Sequence, residues 1–316
     1  MTDIHAPDLF RHVGTFLGVP PSWDLAHAKA AVLGLPFDAG RHPRRSGARR
    51  GPAAIRYMST DMVRRYRPEL GVAFDPIAAL GLVDCGDVPL TPADVDDAMD
   101  RIERAVACIV DAGTIPICLG GDGVTSLPQM KALGQRHPGL RVLHFDSHTD
   151  AYPEAGNTIA ISPATTFAYA AVEEWVDAKN SLHVGMRGTT YVPGVFDYTR
   201  GLGYRIITID EIHRQGAAAI GAEIRATLGD APVFLCFDMD FFDPLAAPGV
   251  FTPAWGGPSA GEGLALVRSL AGINTVGFDV NTTTPDYDVQ GMTAWLAATV
   301  VYEFCWLACA KLGLTP

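Results

Sequence analysis

The sequence lacks an excess of basic residues, because its 24 Lys and Arg are outnumbered by 35 Asp and Glu, giving a formal charge of -11 at pH 7. A chain of this charge repels phosphate backbones and anionic lipids, so we expect neither nucleic acid nor a membrane as a partner. The basic cluster between Arg41 and Arg50 lies among small residues. This pattern is typical of a solvated or interface loop.

Export and disulfide signals are also missing. The segment after Met1 has no basic stretch followed by an apolar core, so we expect no signal peptide and predict a cytoplasmic protein. The six cysteines form no Cys-x-x-Cys pair, and we predict that all are buried and reduced. The most apolar segment, 292–312, has Glu303 at its middle and Lys311 near its end. These charges favour a buried core helix over a membrane span.

No linker interrupts the chain. Pro and Gly are spread along its whole length, and there is neither a Ser-rich tract nor an internal repeat. We therefore predict a single domain over residues 1–316, with residues 1–29 as an N-terminal extension.

Short apolar runs alternate with helical patterns. The predicted strands are residues 30–35, 82–85, 115–119, 142–145, 181–184, 205–208, 233–237 and 275–278. Runs that are apolar on both faces and separated by helices indicate an α/β fold with a mainly parallel sheet covered on two sides. Thr91 is predicted to cap the helix that follows the second strand. Sheets of this kind place their sites at the carboxyl ends of strands.

Metal-ligand residue types follow two of these strands. Asp146, His148 and Asp150 follow residues 142–145, and Asp238 and Asp240 follow residues 233–237. Side chains two apart project to one side of an extended chain. Carboxylates crowded at the ends of buried strands repel one another unless cations neutralise them. The pattern therefore predicts a divalent metal site.

The motifs resemble those of the ureohydrolases, the family of arginase, agmatinase and guanidinobutyrase. Asp146-Ser147-His148-Thr149-Asp150 resembles the family's Asp-Ala-His-x-Asp motif, and Phe237-Asp238-Met239-Asp240 its second metal motif. Further similar stretches begin at Gly47, Gly86, Gly185, Ala247 and Gly277. They cover most of the chain from residue 30 onward.

The resemblance implies a three-layer α/β/α sandwich with two manganese or nickel ions. Asp146 and Asp238 would bridge both ions, His148 and Asp240 would hold one, and Asp150 would hold the other. In the family, a metal-activated hydroxide attacks the guanidino carbon of the substrate and releases urea.

Three positions depart from the family pattern. Gly123 stands where the family has the His of Gly-Gly-Asp-His, its sixth metal ligand, and offers no donor atom. Pro163 stands in place of a His-Gly pair linked to proton transfer. Thr282 stands where a Glu contacts the substrate guanidinium, and it lacks the charge that pairs with a cation.

Each departure alone has a mild interpretation: water can complete a coordination shell, or the substrate can be neutral. Together they predict a subunit that is non-catalytic alone and supports an active homologous ureohydrolase subunit in a trimer- or hexamer-type hetero-oligomer. The heteromeric, nickel-dependent metformin hydrolases, which pair a competent subunit with a degenerate one, are the specific resemblance. One alternative is an active amidine or guanidine hydrolase of altered specificity, with one firmly held metal and Asp150 as a catalytic candidate. A second is a small-molecule binding or sensing module that binds an amidine without turnover.

His144 faces the same side of its strand as Asp146. As a replacement for the missing ligand it is too distant, because it lies roughly 7 Å back along an extended strand. We therefore predict a core histidine hydrogen-bonded to a backbone partner, and no role for the other histidines.

Overall fold

A computed structural model describes residues 14–39, 44–153 and 160–316. In this part of the chain one sheet contains eight strands: β1 (Ala30–Gly34), β2 (Val83–Asp87), β3 (Ile115–Leu119), β4 (Arg141–Phe145), β5 (Leu182–Met186), β6 (Arg205–Thr208), β7 (Val233–Asp238) and β8 (Thr275–Asn281). Every pair of neighbouring strands is parallel. The predicted α/β class is confirmed, and the sheet is parallel throughout.

Ten α-helices connect and flank the strands in the described ranges. They are α1 (Gly51–Met62), α2 (Pro76–Leu80), α3 (Val95–Asp111), α4 (Ser126–Gly134), α5 (Thr166–Val172), α6 (Val195–Gly201), α7 (Ile209–Gln215), α8 (Ala217–Leu228), α9 (Ala260–Arg268) and α10 (Met292–Lys311). The side chain of Asp94, not Thr91 as predicted, caps α3 by accepting a hydrogen bond from Asp97 N. The helix therefore begins a few residues later than the Thr-Pro pair indicated.

Two apolar cores lie on opposite faces of the sheet. Along β1, Ala30 and Val32 belong to one core, which also includes residues of α1, α8, α9 and α10. Ala31 and Leu33 belong to the other, with residues of α3, α4 and α5. Alternate residues of a strand bury opposite faces, so the architecture is the expected three-layer sandwich.

Helix α10 is long and apolar enough to cross a membrane, but 83% of its most apolar window is buried inside the protein. It packs against α1, α2 and α9. The carboxylate of Glu303 at its middle is paired with Arg67 and Arg268. The helix is therefore a core element, as its charges indicated.

The strand order is β2-β1-β3-β8-β7-β4-β5-β6. The chain builds one edge of the sheet first, moves to the other side with β4, and returns to insert β7 and β8 in the middle. Consequently β3, β8, β7 and β4 lie side by side with their carboxyl ends at one edge. A change of winding direction in a parallel sheet leaves a crevice between the loops at this edge.

One cysteine prediction was wrong. Cys108, on α3, is exposed, whereas the other five cysteines are buried. All six are free thiols. The predicted 1–29 extension is described only from residue 14, and the basic cluster only from Arg44. There, Arg45 donates to the carbonyls of Pro248 and Val250, which ties this loop to the crevice edge.

Candidate metal centre

The four central strands deliver all the predicted site residues to one crevice. Gly123 follows β3, Thr282 follows β8 and the Asp146 motif follows β4, while Asp238 is the last residue of β7 and Asp240 comes two residues later. Residues separated by up to 159 positions therefore meet because their strands are neighbours. Strand order is what turns two separate Asp motifs into one cluster.

Asp146, His148 and Asp240 form the tightest group. Each offers a ligand atom, and these atoms lie within 4.8 Å of one another. His148 Nδ1 lies 3.1 Å from Asp240 Oδ2 and 3.4 Å from Asp146 Oδ1. The backbone N–H of His148 also donates to Asp146 Oδ1 at 2.6 Å, which fixes the turn at the end of β4. These three side chains are arranged to hold one cation.

A second group contains His144, Asp146 and Asp150, again with ligand atoms within 4.8 Å of one another. His144 Nε2 lies 3.0 Å from Asp146 Oδ2. The prediction of a backbone partner for His144 was wrong, since its Nδ1 lies 2.9 Å from Nδ1 of His183. The extended-strand estimate placed His144 too far back because the chain turns immediately after Phe145, where β4 ends.

Asp238 lies outside both of these groups. Its Oδ1 accepts hydrogen bonds from the backbone N–H of Asp240 at 2.7 Å and from the hydroxyl of Thr282 at 2.5 Å. The role of Asp238 as a bridging ligand stays a prediction. In this structure its carboxylate caps the turn after β7 and is held by the threonine that replaces the expected glutamate.

Thr282 has a left-handed backbone, with φ of 62°. This conformation is an outlier for a β-branched residue and costs on the order of 1–3 kcal/mol. Its N–H donates to the carbonyl of Gly121 at 2.7 Å. The hydrogen bonds to Gly121 and Asp238 hold Thr282 in this conformation and direct its hydroxyl into the site.

Gly123 begins a short 3₁₀ helix over Gly123–Thr125, positioned by Asp122. The Asp122 side chain accepts hydrogen bonds from Ala39 N and Val124 N. A Cβ atom added at Gly123 would lie 3.2 Å from Asp150 Oδ2 and 3.7 Å from Pro163 Cβ. A side chain at this position would therefore enter the site beside Asp150, where the family places its sixth ligand, and glycine provides nothing there.

The cluster lies at the base of a cavity of about 470 Å³. Pro163 lines it beside Gly123 and begins the short helix Pro163–Thr165, which Ser162 caps. The charged side chains that line it belong to the cluster itself, and the others are mainly hydroxyl-bearing, aromatic or small: Tyr152, Ser162, Thr189, Thr190, Tyr191, Thr252 and Thr282 among them. The described part of the cavity thus has no carboxylate beyond the cluster to pair with a substrate cation.

Burial dominates the electrostatics. It raises the pKa of Asp146, Asp150 and Asp238 well above the ordinary value, and the neighbouring carboxylates raise these pKa values further. Burial also disfavours charge on His148 and Asp240, but their mutual attraction outweighs it. The pKa of His148 is therefore raised well above its usual range and that of Asp240 is lowered. A cluster in which three carboxyl groups resist ionisation is one that a cation would stabilise strongly.

Unpaired donor atoms show how far the residues fit the metal that the family resemblance implies. Asp146 Oδ2 is buried and has no hydrogen-bond partner. A buried carboxylate oxygen of this kind is costly unless an ion or another donor meets it. The group of Asp146, His148 and Asp240 fits one divalent ion, whereas the unpartnered Oδ2 lies on the other side of Asp146, next to His144. The cavity side, with Gly123 in place of a ligand, is incomplete.

Two contacting residues gave no clear signal in the sequence. Ser147, which replaces the Ala of the family motif, donates its hydroxyl to Asp240 Oδ1 at 2.7 Å and its N–H to the same oxygen at 3.0 Å. The other is His183, for which the sequence predicted no role, although its Nδ1 lies within hydrogen-bond distance of His144 Nδ1. The β4–β5 register, which pairs these two histidines directly, is the information that the sequence alone did not supply.

Comparisons with known proteins agree with the motifs. The profile of the Arginase family matches residues 28–306. Guanidinopropionase of Pseudomonas aeruginosa is 35% identical over 300 residues, covering 95% of this chain and 93% of that protein. Mitochondrial agmatinase of Gallus gallus is 34% identical, with 92% and 84% of the two chains covered.

Solved structures share the same architecture. Proclavaminate amidino hydrolase from Streptomyces clavuligerus superposes with a TM-score of 0.88 at 31% identity, covering 96% of this chain and 99% of the other. Formiminoglutamase of Trypanosoma cruzi, solved with Mn²⁺, gives a TM-score of 0.83 at 25% identity, with 95% and 99% covered. The likeness extends over nearly the whole chain.

Proposed function

The chain belongs to the arginase family of ureohydrolases, and on this premise we propose that it is a subunit that is non-catalytic alone and assembles with an active homologue. The homologue would hydrolyse a guanidine- or biguanide-type substrate to urea and an amine. The observation that carries this proposal is Gly123. The position after β3 that is aimed at Asp150 has no side chain to bind an ion.

Two further residues that line the cavity support this proposal. Pro163 occupies a position where a proton carrier is expected, and its ring has no group that exchanges protons. Thr282 occupies the position expected to bind a guanidinium, and its hydroxyl instead donates to Asp238. A neutral hydroxyl that already donates to a carboxylate is a poor partner for a cation.

The proposed partner is a homologous subunit in a trimer- or hexamer-type hetero-oligomer, of which a metformin hydrolase-like assembly is the specific form. An intact scaffold with an incomplete site can still supply solubility, geometry or part of a site entrance to its partner. A cytoplasmic location is part of the same proposal.

The direct test uses the full chain alone and with a partner. The chain is loaded with Mn²⁺ or Ni²⁺ and assayed for urea release from guanidino compounds and a biguanide. We expect no turnover alone, and copurification with a co-expressed homologue that has histidine at the position of Gly123. Turnover by the isolated chain at ordinary enzyme rates would refute the proposal.

A repair experiment separates the ligand loss from the substrate-site loss. Gly123→His restores an imidazole beside Asp150, so we expect tighter metal binding, seen as higher occupancy at limiting metal, without activity. Activity is expected only when Thr282→Glu is added, because the guanidinium also needs a carboxylate. Vigorous urea release from the single variant would show that Thr282 is not disabling.

A second candidate function is an active hydrolase that works with one ion, favoured by the group of Asp146, His148 and Asp240. A single divalent ion can supply a water of lowered pKa at neutral pH, and these residues would hold it at the base of the cavity. Near-stoichiometric tightly bound metal with turnover of an amidine supports this candidate. Bound metal without turnover supports the non-catalytic subunit.

A further inference from the structure

Two buried histidines lie beneath the cluster and have no part in the proposed function. His144 on β4 and His183 on β5 are direct register partners, so their side chains project from the same face of the sheet. They are 1% and 0% exposed. The His144 ring packs on Phe167, with ring centroids 4.1 Å apart. These contacts fix the direction in which the free nitrogen of His144 points.

Nε2 of His144 lies next to the Asp146 carboxylate but forms no hydrogen bond with it. His144 Nε2 is 3.0 Å from Asp146 Oδ2, yet this oxygen has no hydrogen-bond partner, so the N–H and the oxygen are not aligned. Two ligand atoms at right angles around an ion with bonds of about 2.1 Å lie about 3.0 Å apart. The spacing is therefore that of two neighbouring ligands of one ion.

A third donor completes the group. One ligand atom from each of His144, Asp146 and Asp150 lies within 4.8 Å of the other two. Asp150 has a left-handed backbone, with φ of 44°, a conformation that aspartate adopts more readily than most residues. Asp146 would then present Oδ2 to this group, while its Oδ1 faces His148 and Asp240. One carboxylate can serve two neighbouring ions in this way.

From this geometry we propose that His144 is an imidazole ligand of a second divalent ion, held with Asp146 and Asp150, in place of the side chain missing at position 123. The ion lies deeper than the cavity floor, because Asp150 lines the cavity but His144 and Asp146 do not. Its role is to neutralise the buried carboxylates. The inference therefore does not depend on whether the chain is catalytic.

An ion bound to His144 Nε2 determines the tautomers of both histidines. A ligand lone pair on His144 Nε2 places its proton on Nδ1, which donates to His183 Nδ1 at 2.9 Å. The proton of His183 is then on Nε2, which is buried and has no partner. Such an unpaired buried N–H is destabilising. Removing the ion allows the opposite arrangement, in which His183 donates.

The test measures metal content in the full chain with Mn²⁺ or Ni²⁺ as the only added ligand. We expect two ions per chain after dialysis, and one ion in His144→Asn. His137→Asn, a change at a histidine outside the cluster, is the control and should retain both ions. A wild-type chain that binds only one ion, or a folded His144→Asn variant that retains two, overturns the proposal.

A second variant distinguishes a ligand from a residue that merely orients Asp146. Adding Gly123→His to His144→Asn provides another imidazole next to Asp150, so the second ion should return. If the double variant has an unchanged circular dichroism spectrum but does not bind the second ion, His144 does not replace the missing ligand and the proposal is overturned.

X-ray absorption of the wild-type chain needs no variant and is independent of folding defects. Two imidazole nitrogens for two ions support the proposal, and one contradicts it. Metal content and X-ray absorption do not measure activity. A negative result for the His144 ligand is therefore distinguishable from a failure of the non-catalytic proposal.

Discussion

The two sides of the metal cluster differ in what their residues do apart from binding an ion. On the β4 and β7 side, the carboxylates also accept backbone hydrogen bonds: Asp146 from His148 N, Asp240 from Ser147 N and Asp238 from Asp240 N. On the cavity side, Gly123 and Pro163 line the space and provide no polar side-chain atom. The carboxylates on the first side therefore stabilise the turns that end β4 and β7, whereas Gly123 and Pro163 only line the cavity.

This difference explains which part of the site the chain keeps. A carboxylate that satisfies buried N–H groups stabilises the fold even when no reaction occurs, and its removal leaves those donors unpaired. A residue that only faces substrate has no such structural role. If the chain is non-catalytic, as proposed, it is expected to retain the first set and to vary in the second, which is the pattern at Gly123 and Pro163.

The largest effect is expected at the residue shared by both ligand groups. Asp146→Asn removes the charge between His148 and His144, so metal binding should weaken by more than about 100-fold and metal content after dialysis should fall to background. Inductively coupled plasma mass spectrometry measures this. Asp100→Asn, an exposed change on α3, is the control. Retention of a stoichiometric ion by Asp146→Asn would show that the metal lies elsewhere.

The pH dependence of stability tests the electrostatics of the same side. The raised pKa values of Asp146, Asp150 and Asp238 mean that the folded metal-free chain binds protons that the unfolded chain releases. Stability from these groups is complete below the unfolded pKa near 4 and is lost as pH rises. The raised pKa of His148 has the same sign, with loss above about 6.5.

Thermal melts should therefore show a metal-free chain that becomes less stable from pH 5 to 8. They should also show a stabilisation by Mn²⁺ that grows over the same range, since the ion replaces the lost protons. The lowered pKa of Asp240 has the opposite sign, but its loss occurs only at much lower pH. A metal shift that is constant with pH would contradict protonated carboxyl groups in the cluster.

A smaller effect is expected at Thr282. Thr282→Val keeps the shape but removes the hydroxyl that donates to Asp238, so urea denaturation of the metal-free chain should show a loss of about 1–3 kcal/mol. Thr283→Val is a matched control, because the Thr283 hydroxyl is buried without a hydrogen-bond partner. This control should be neutral or slightly stabilising. Equal losses in both variants would mean that the Thr282–Asp238 bond contributes nothing.

Much of this architecture was predictable from local sequence. All eight strands were predicted, because a short run of apolar residues is a local signal of a buried strand. The strand order was not, since it depends on contacts between distant segments. The Asp motifs therefore predicted the cluster, but not that β8 brings Thr282 to Asp238. The prediction of a backbone partner for His144 was wrong for a related reason, because its partner lies on the distant strand β5. The 7 Å spacing from Asp146 was also wrong, because the chain turns after Phe145 and is no longer extended.

The smallest effect is expected at the vacant position itself, and it tests whether the cavity side has structural demands. Gly123 is not in the left-handed region, and the one tight contact of an added Cβ would be with Asp150 Oδ2 at 3.2 Å. A compatible Gly→Ala change gains about 0.4–1 kcal/mol through the unfolded state, and the close contact offsets part of this gain. Gly123→Ala should therefore lie within about 0.5 kcal/mol of wild type in urea denaturation, with metal content unchanged.

Gly121 provides the contrast two residues earlier. An added Cβ there would lie 1.9 Å from the carbonyl oxygen and 2.7 Å from the nitrogen of Phe37, which are backbone atoms that cannot move aside easily. Gly121→Ala should therefore cost at least about 3 kcal/mol. If Gly123→Ala were equally damaging, glycine at position 123 would be required by packing. The absence of a ligand there would then no longer support the proposal of a non-catalytic subunit.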